Sequence, residues 1–81
     1  MSQNLLSRIE EEYAGLSKGQ KRIADYILVH YDKASFMTAA KLGNLVGVSE
    51  STVVRFAAEL GYDGYPEFQR ALQEIIRVRL T

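Results

Sequence analysis

The chain has 81 residues, no cysteine, 47% hydrophobic residues and a net charge of zero from ten basic and ten acidic side chains. A chain of this length forms one domain, and its hydrophobic content is too high for a disordered segment. The composition excludes a disulfide framework, and its short apolar runs exclude a membrane span. The N-terminus is amphipathic and acidic, so we expect no signal peptide and a cytoplasmic location.

The charge is less even along the chain than its sum suggests. Residues 1–16 carry one basic and three acidic side chains, which leaves nine basic and seven acidic side chains in residues 17–81. A mildly basic remainder is compatible with binding to nucleic acid, but this charge alone does not predict it.

The spacing of apolar residues predicts an all-α fold, a compact bundle of about five short helices without a strand. The stripe of the first helix consists of Leu5, Leu6, Ile9, Tyr13 and Leu16. Ser17 is the expected N-cap of the second helix, with Gln20 as its capping-box partner. The apolar face of the second helix consists of Ile23, Ala24, Ile27, Leu28 and Tyr31. The segment HYDKASFM, residues 30–37, is predicted to be a connector.

Three further helices are predicted from capping residues and glycines. Thr38 is the expected N-cap of the third helix and Gly47 ends it, because glycine adopts the left-handed conformation easily. Ser49 caps the fourth helix and Gly61 ends it, while Pro66 suits the start of the fifth. The predicted buried stripe of the third helix is Leu42, Leu45 and Val46, that of the fourth is Val53, Phe56, Ala57 and Leu60, and that of the fifth is Phe68, Leu72, Ile75 and Ile76.

Two short helices joined by a short turn that contains a glycine predict a helix-turn-helix. Gly43 is expected to face the partner helix, where its small size allows close approach. The residues left on the outer side of the fourth helix are Ser49, Glu50, Ser51, Thr52, Arg55 and Glu59.

This outer side has the chemistry of a DNA-reading helix. Hydroxyls donate to and accept from phosphates or base edges, and the helix N-terminus favours an anion. Arg55 lies one turn in, where its guanidinium can contact a guanine edge or a phosphate. Short polar residues also begin helices merely because they cap them, and Ser49 does so under either interpretation. A helical protein-interaction or dimerisation module with an architectural helix-turn-helix therefore stays open as the alternative.

Two segments resemble the N-terminal DNA-binding domain of the RpiR family of bacterial phosphosugar-responsive transcription regulators. They are LSKGQKRIADYIL, residues 16–28, and the more distinctive GVSESTVVRFAAELGYDGYPEF, residues 47–68. The resemblance covers most of the chain, from about Leu16 to Leu72. Gly43 departs from it by standing where alanine is common, at a cost of about 1 kcal/mol in helix propensity. Pro66 stands where serine or threonine is frequent, a change within turn chemistry.

The resemblance implies an all-helical domain without a wing that binds double-stranded DNA sequence-specifically and acts as a homodimer or higher homo-oligomer. Its recognition helix, residues 49–60, would lie in the major groove. The DNA-binding residues that it implies are Ser49, Glu50, Ser51, Thr52 and Arg55, with Lys18, Lys21 and Arg22 as contacts to the DNA backbone. Members of the family continue into a sugar-isomerase-type domain that binds a phosphorylated sugar. We therefore expect residues 1–81 to be an excised N-terminal fragment that lacks the effector domain.

The remaining candidates have structural interpretations. Tyr62, Tyr65 and Phe68 are expected to pack as an aromatic corner, with the tyrosine hydroxyls reaching water, rather than to stack on bases. His30 has no cysteine or second histidine beside it, so neither a metal nor another cofactor is expected. The serines lack a histidine base, and the chain is therefore not expected to be an enzyme. The apolar stripe of the first helix is expected to be core, with a subunit interface as the alternative.

Overall fold

The computed structural model describes the backbone of residues 4–80 and the side chains of residues 4–78. In this part of the chain the helices are α1 (Leu5–Glu12), α2 (Lys18–Ala34), α3 (Ala39–Val46), α4 (Glu50–Glu59) and α5 (Tyr65–Leu80), with a 3-10 helix at Tyr13–Gly15. No strand occurs between residues 4 and 80, which confirms the predicted all-α bundle. None of the helices in this range has the length and hydropathy that a membrane span requires.

The predicted capping residues begin the helices. Ser17 and Gln20 form the expected capping box, in which the Ser17 backbone N–H donates to Gln20 Oε1 at 3.1 Å and the Gln20 N–H donates to Ser17 Oγ at 3.2 Å. Thr38 Oγ1 accepts from the Lys41 N–H at 3.1 Å and begins α3. These bonds satisfy N–H groups that have no partner within the helix, and they fix where α2 and α3 start.

Two helix boundaries differ from the prediction. Helix α1 ends at Glu12, and Tyr13 lies in the 3-10 helix, so the predicted stripe does not belong to one continuous helix. Helix α2 extends through His30 to Ala34, into the predicted connector, although the backbone of His30 departs from helical geometry (φ −126°, ψ 44°). Tertiary burial explains the extension, because Ala34 and Ser35 are fully buried and must satisfy their backbone groups within the protein.

The core lies where α2 meets the other four helices. Fully buried aliphatic and aromatic side chains from all five helices fill it: Ile9, Ile23, Ile27, Leu42, Val53, Phe56, Phe68 and Leu72. The predicted face of α4 is confirmed at all four positions. In α3, however, Leu45 is 54% exposed, and the prediction that it is buried is wrong. The stripe of this short helix is Ala39, Leu42 and Gly43, and Leu45 falls outside its arc.

The aromatic residues that follow α4 form the predicted structural corner. The Phe68 ring lies 5.8 Å from the Phe56 and Tyr62 rings and 5.7 Å from the Tyr65 ring, measured between centroids. The Tyr65 hydroxyl does not reach water as predicted, because it donates to the Met37 carbonyl at 2.7 Å. Burial raises the pKa of Tyr65 to about 12. This corner joins α5 to the connector between α2 and α3, and thereby supports the helix-turn-helix from behind.

Candidate nucleic-acid interface

The turn between α3 and α4 brings the backbones of the two helices into contact. Gly47 adopts the left-handed conformation (φ 83°, ψ 33°) and its N–H donates to the Gly43 carbonyl at 2.8 Å. The Val48 N–H donates to the same carbonyl at 2.8 Å. A Cβ on Gly43 would lie 2.7 Å from the Val48 carbonyl oxygen, so the expected close approach is confirmed. The second helix is thus braced by the first and projects from the bundle.

Three hydroxyls gather at the N-terminus of α4. Ser49 Oγ accepts from the Thr52 backbone N–H at 3.2 Å, and lies 3.0 Å from Ser51 Oγ and 2.8 Å from Thr52 Oγ1. A serine hydroxyl has one donor and two acceptor sites, so these contacts use the whole capacity of Ser49. Ser51 and Thr52 keep capacity for an outside partner, and Ser51 is exposed. The positive end of the helix dipole lies at the same place, where a phosphate is favoured.

The outward face of α4 consists of Glu50, Ser51, Val54, Arg55 and Ala58, which together line a shallow, open depression. The predicted site residues Glu50, Ser51 and Arg55 lie on this face, whereas Thr52 is half-buried on the flank. The sequence interpretation assigned Val54 and Ala58 neither to the buried stripe nor to the outer side, because it considered only polar residues as DNA contacts. Their helical angles would have identified them, since they lie about 100° and 140° from Val53 at about 100° per residue.

The predicted basic residues of α2 divide between two sides of that helix. The N-terminus of α2 packs on the turn, because a Cβ on Gly19 would lie 3.2 Å from Val48 Cγ1. Arg22 is exposed beside the same turn, with Nη1 at 3.6 Å from the position that a Gly47 Cβ would occupy. Lys18 is exposed one helical turn before Arg22. Two cationic side chains therefore lie near the start of α4.

Lys21 lies against Tyr13 of the 3-10 helix instead of beside the turn. Its Nζ lies 5.4 Å from the centre of the Tyr13 ring, and the Tyr13 hydroxyl donates to Asp25 at 2.8 Å. The hydrogen bond to the Asp25 carboxylate raises the pKa of Tyr13. Among the three predicted basic contacts, Lys21 is therefore the one that the fold places away from the helix-turn-helix.

The first helix braces the second through a turn that contains a glycine, and the second helix is exposed and begins with hydroxyls. These features define a helix-turn-helix domain of the DNA-binding class. The family model described as the helix-turn-helix domain of the rpiR family matches residues 3–77. The chain belongs to this family. It is the helix-turn-helix domain of a transcription regulator, and sequence-specific DNA binding is the activity of that class of domain, which is not a class of enzymes.

Individual relatives support this assignment. The chain is 44% identical over 73 residues to the HTH-type transcriptional regulator YfhH of Escherichia coli K12, covering 90% of the chain and 26% of that protein. It is 35% identical over 71 residues to HexR of Pseudomonas aeruginosa PAO1, covering 88% of the chain and 25% of HexR. The structure of the Vibrio vulnificus NanR protein complexed with ManNAc-6P superposes with a TM-score of 0.88 at 35% identity, over 95% of the chain and 30% of NanR. The chain thus spans about a quarter of the length of the curated relatives.

Proposed function

We propose that the chain positions α4 and its N-cap, residues 49–60, in the major groove of a specific operator of a bacterial, cytoplasmic transcription regulator. The observation that carries the proposal is the exposed face of α4, on which hydroxyls and an arginine project from a braced helix. Side chains at the N-terminal end of a recognition helix are those nearest the bases.

Each polar residue of this face suits a distinct contact. Arg55 can donate two hydrogen bonds to the O6 and N7 atoms of a guanine. Ser51 and Thr52 are placed for a phosphate or a base edge, and the Glu50 carboxylate can accept from the amino group of a cytosine. Ser49 holds the two neighbouring hydroxyls in place through the bonds described above.

The phosphate backbone would meet the N-terminal part of α2. Arg22 and Lys18 support this proposal through their exposure and their position near the turn. Lys21 remains a proposed contact as well, although it would have to leave the Tyr13 ring to reach a phosphate. Phosphate contacts of this kind set the register of a recognition helix without selecting a sequence.

The outward face of α4 lacks the large apolar anchor that the protein-interaction alternative requires. Interaction helices bind through a large apolar or aromatic side chain at the centre of the contact. The centre of the outward face of α4 is occupied by Ser51 and Arg55, and its apolar members are the smaller Val54 and Ala58. This composition favours DNA as the partner of α4.

The complete regulator would bind as a homodimer or higher homo-oligomer and would sense a phosphorylated sugar through a separate sugar-isomerase-type domain. Two observations support the separate effector domain. The chain spans only about a quarter of its curated relatives, and the NanR structure contains ManNAc-6P in a protein of which the chain covers 30%. Effector binding would then lie outside residues 1–81.

The decisive experiment is selection from a randomised double-stranded DNA pool, with the chain fused to a dimerising partner at low salt. We expect enrichment of a site with two-fold symmetry. The Arg55→Ala variant should bind that site about 1–3 kcal/mol more weakly and lose preference at one base-pair position. Arg70→Ala, which removes an exposed arginine of α5, is the matched control and should change neither.

Two other results would change the proposal. Equal weakening of all sequences by Arg55→Ala would make Arg55 a phosphate contact instead of a base contact. Absence of any enriched site with a folded, dimeric fusion would contradict DNA reading by α4 and favour the interaction module.

A further inference from the structure

An apolar side chain stands within the polar face of the recognition helix. Val54 is 40% exposed, and four other residues form the buried side of α4. It lines the outward depression together with Ser51, Arg55 and Ala58. Valine has a poorer helix propensity than alanine, so neither burial nor helix stability accounts for its presence there.

We infer that Val54 recognises the 5-methyl group of a thymine in the major groove, in the same half-site as the base pair that Arg55 contacts. The inference rests on the proposed function, because it requires α4 to lie in the major groove. Thymine is the base that presents a methyl group in that groove, and small apolar side chains are its usual partners.

The local geometry supports a methyl-sized partner. Ala58 lies one turn after Val54 and carries only a Cβ, so the depression stays open at that point. A β-branched side chain in a helix has essentially one rotamer, and Val54 therefore presents its methyl groups in a fixed direction without losing much entropy on binding. Ser51 and Arg55 beside it suit polar base edges and phosphates rather than the apolar surface of a protein.

The position of the thymine relative to the Arg55 contact follows from helix dimensions. Consecutive residues advance by about 1.5 Å along an α-helix. Successive base pairs are separated by about 3.4 Å. The two side chains also point about 100° apart around the helix, so the methyl-sensitive thymine should lie within about three base pairs of the position whose preference depends on Arg55.

The test replaces thymines of the selected site with deoxyuracil, one at a time, which removes only the methyl group. Binding of the full chain to each duplex is measured by fluorescence anisotropy at low salt. We expect one uracil per half-site to raise Kd by about fourfold, the value of one apolar methyl-sized group removed from water. In the Val54→Ala variant the same uracil should raise Kd by less, because alanine lacks the two methyl groups through which Val54 would contact the thymine.

A matched control separates this effect from a general loss of apolar surface. Val29→Ala removes the same methyl groups from a more exposed valine, 72% accessible on α2, and should retain the full uracil penalty. Circular dichroism should show that Val54→Ala keeps its helix content, since alanine is the better helix former.

The outcomes distinguish this inference from the proposed function. If no uracil raises Kd, or if Val54→Ala keeps the penalty, the inference is overturned while the enriched symmetric site still supports DNA reading by α4. If the pool yields no site at all, the proposed function fails first and the inference fails with it. A protein partner that competes with DNA for α4 through Val54 would also overturn it.

Discussion

At the scale of single residues, the three hydroxyls at the start of α4 have two roles: Ser49 caps the helix, and Ser51 and Thr52 are available to bind a partner. Ser49 Oγ has its whole bonding capacity engaged by Thr52 and Ser51. Ser51 and Thr52 each retain free capacity, so a phosphate or base edge can bind them without breaking the cap. Ser49 is therefore a positioning residue within the proposed DNA-binding set.

Substitutions at Ser49 should separate capping from DNA contact. Ser49→Ala should lower the free energy of unfolding by about 1 kcal/mol in urea denaturation, because the Thr52 N–H loses its acceptor. Asparagine and aspartate cap as well as serine, so Ser49→Asn and Ser49→Asp should both restore stability. Only Ser49→Asp should weaken DNA binding, since its charge would face phosphate. Equal DNA binding by these two variants would place Ser49 away from the DNA backbone.

At the scale of secondary-structure elements, the crossing of α3 and α4 depends on the missing side chain of Gly43. Gly43→Ala would gain about 1 kcal/mol in helix propensity. Its Cβ would, however, lie 2.7 Å from the Val48 carbonyl oxygen, a backbone atom that cannot rotate away. We expect overpacking to prevail and the variant to lose about 1–3 kcal/mol of stability in urea denaturation.

Gly15→Ala is the matched control for this substitution. A Cβ at Gly15 would meet no atom within 4 Å, and the substitution should be neutral or slightly stabilising. A stable Gly43→Ala variant would show that the turn can shift to accommodate the added Cβ.

The attachment of α5 to the rest of the bundle should depend on pH. Burial raises the pKa of Tyr65 to about 12 from 10.0, so the folded state favours the neutral phenol. Its contribution to stability is complete below pH 10 and is lost as the pH rises towards 12. The difference in free energy of unfolding between the protein and Tyr65→Phe should therefore decrease across this interval.

Local signals in the sequence predicted the elements that local chemistry controls. Ser17, Thr38, Ser49 and Gly47 occur where a cap or a left-handed residue is needed, and the structure uses all of them at those places. The C-terminal half of α2 could not be predicted in this way. It stays helical because Ala34 and Ser35 are buried and because Gln69 and Gln73 of α5 donate to the Ser35 carbonyl, contacts that span more than thirty residues.

The sequence interpretation predicted the polar part of the candidate site only. Hydroxyls followed by Arg55 at the start of the second helix are typical of a recognition helix, and that pattern predicted them. The helical angle of Val54 places it outside the buried stripe, but how far it is exposed depends on how α4 packs in the bundle. The separate positions of Lys21 and Arg22 likewise follow from which neighbours surround α2.

At the scale of the whole molecule, a neutral chain must bind DNA with few phosphate contacts. Ten basic side chains are balanced by ten acidic ones, so nonspecific attraction is weak. The negative charge of Glu50 in the first turn of α4 offsets part of the positive charge of the basic residues near the turn. A single copy should thus bind one half-site weakly, and useful affinity should require two copies held together.

The dependence of binding on salt measures these phosphate contacts directly. Each phosphate neutralised by a cationic side chain contributes about 0.9 to the slope of log K against log salt concentration. Arg22→Ala and Lys21→Ala should each reduce the slope of the dimeric fusion by about one unit per bound copy, without changing sequence preference. Arg77→Ala, whose guanidinium pairs with Glu74 on α5, should leave the slope unchanged. If only Arg22→Ala reduces the slope, the phosphate contact lies on the side of α2 that faces the turn. If neither variant reduces the slope, α2 does not contact the DNA.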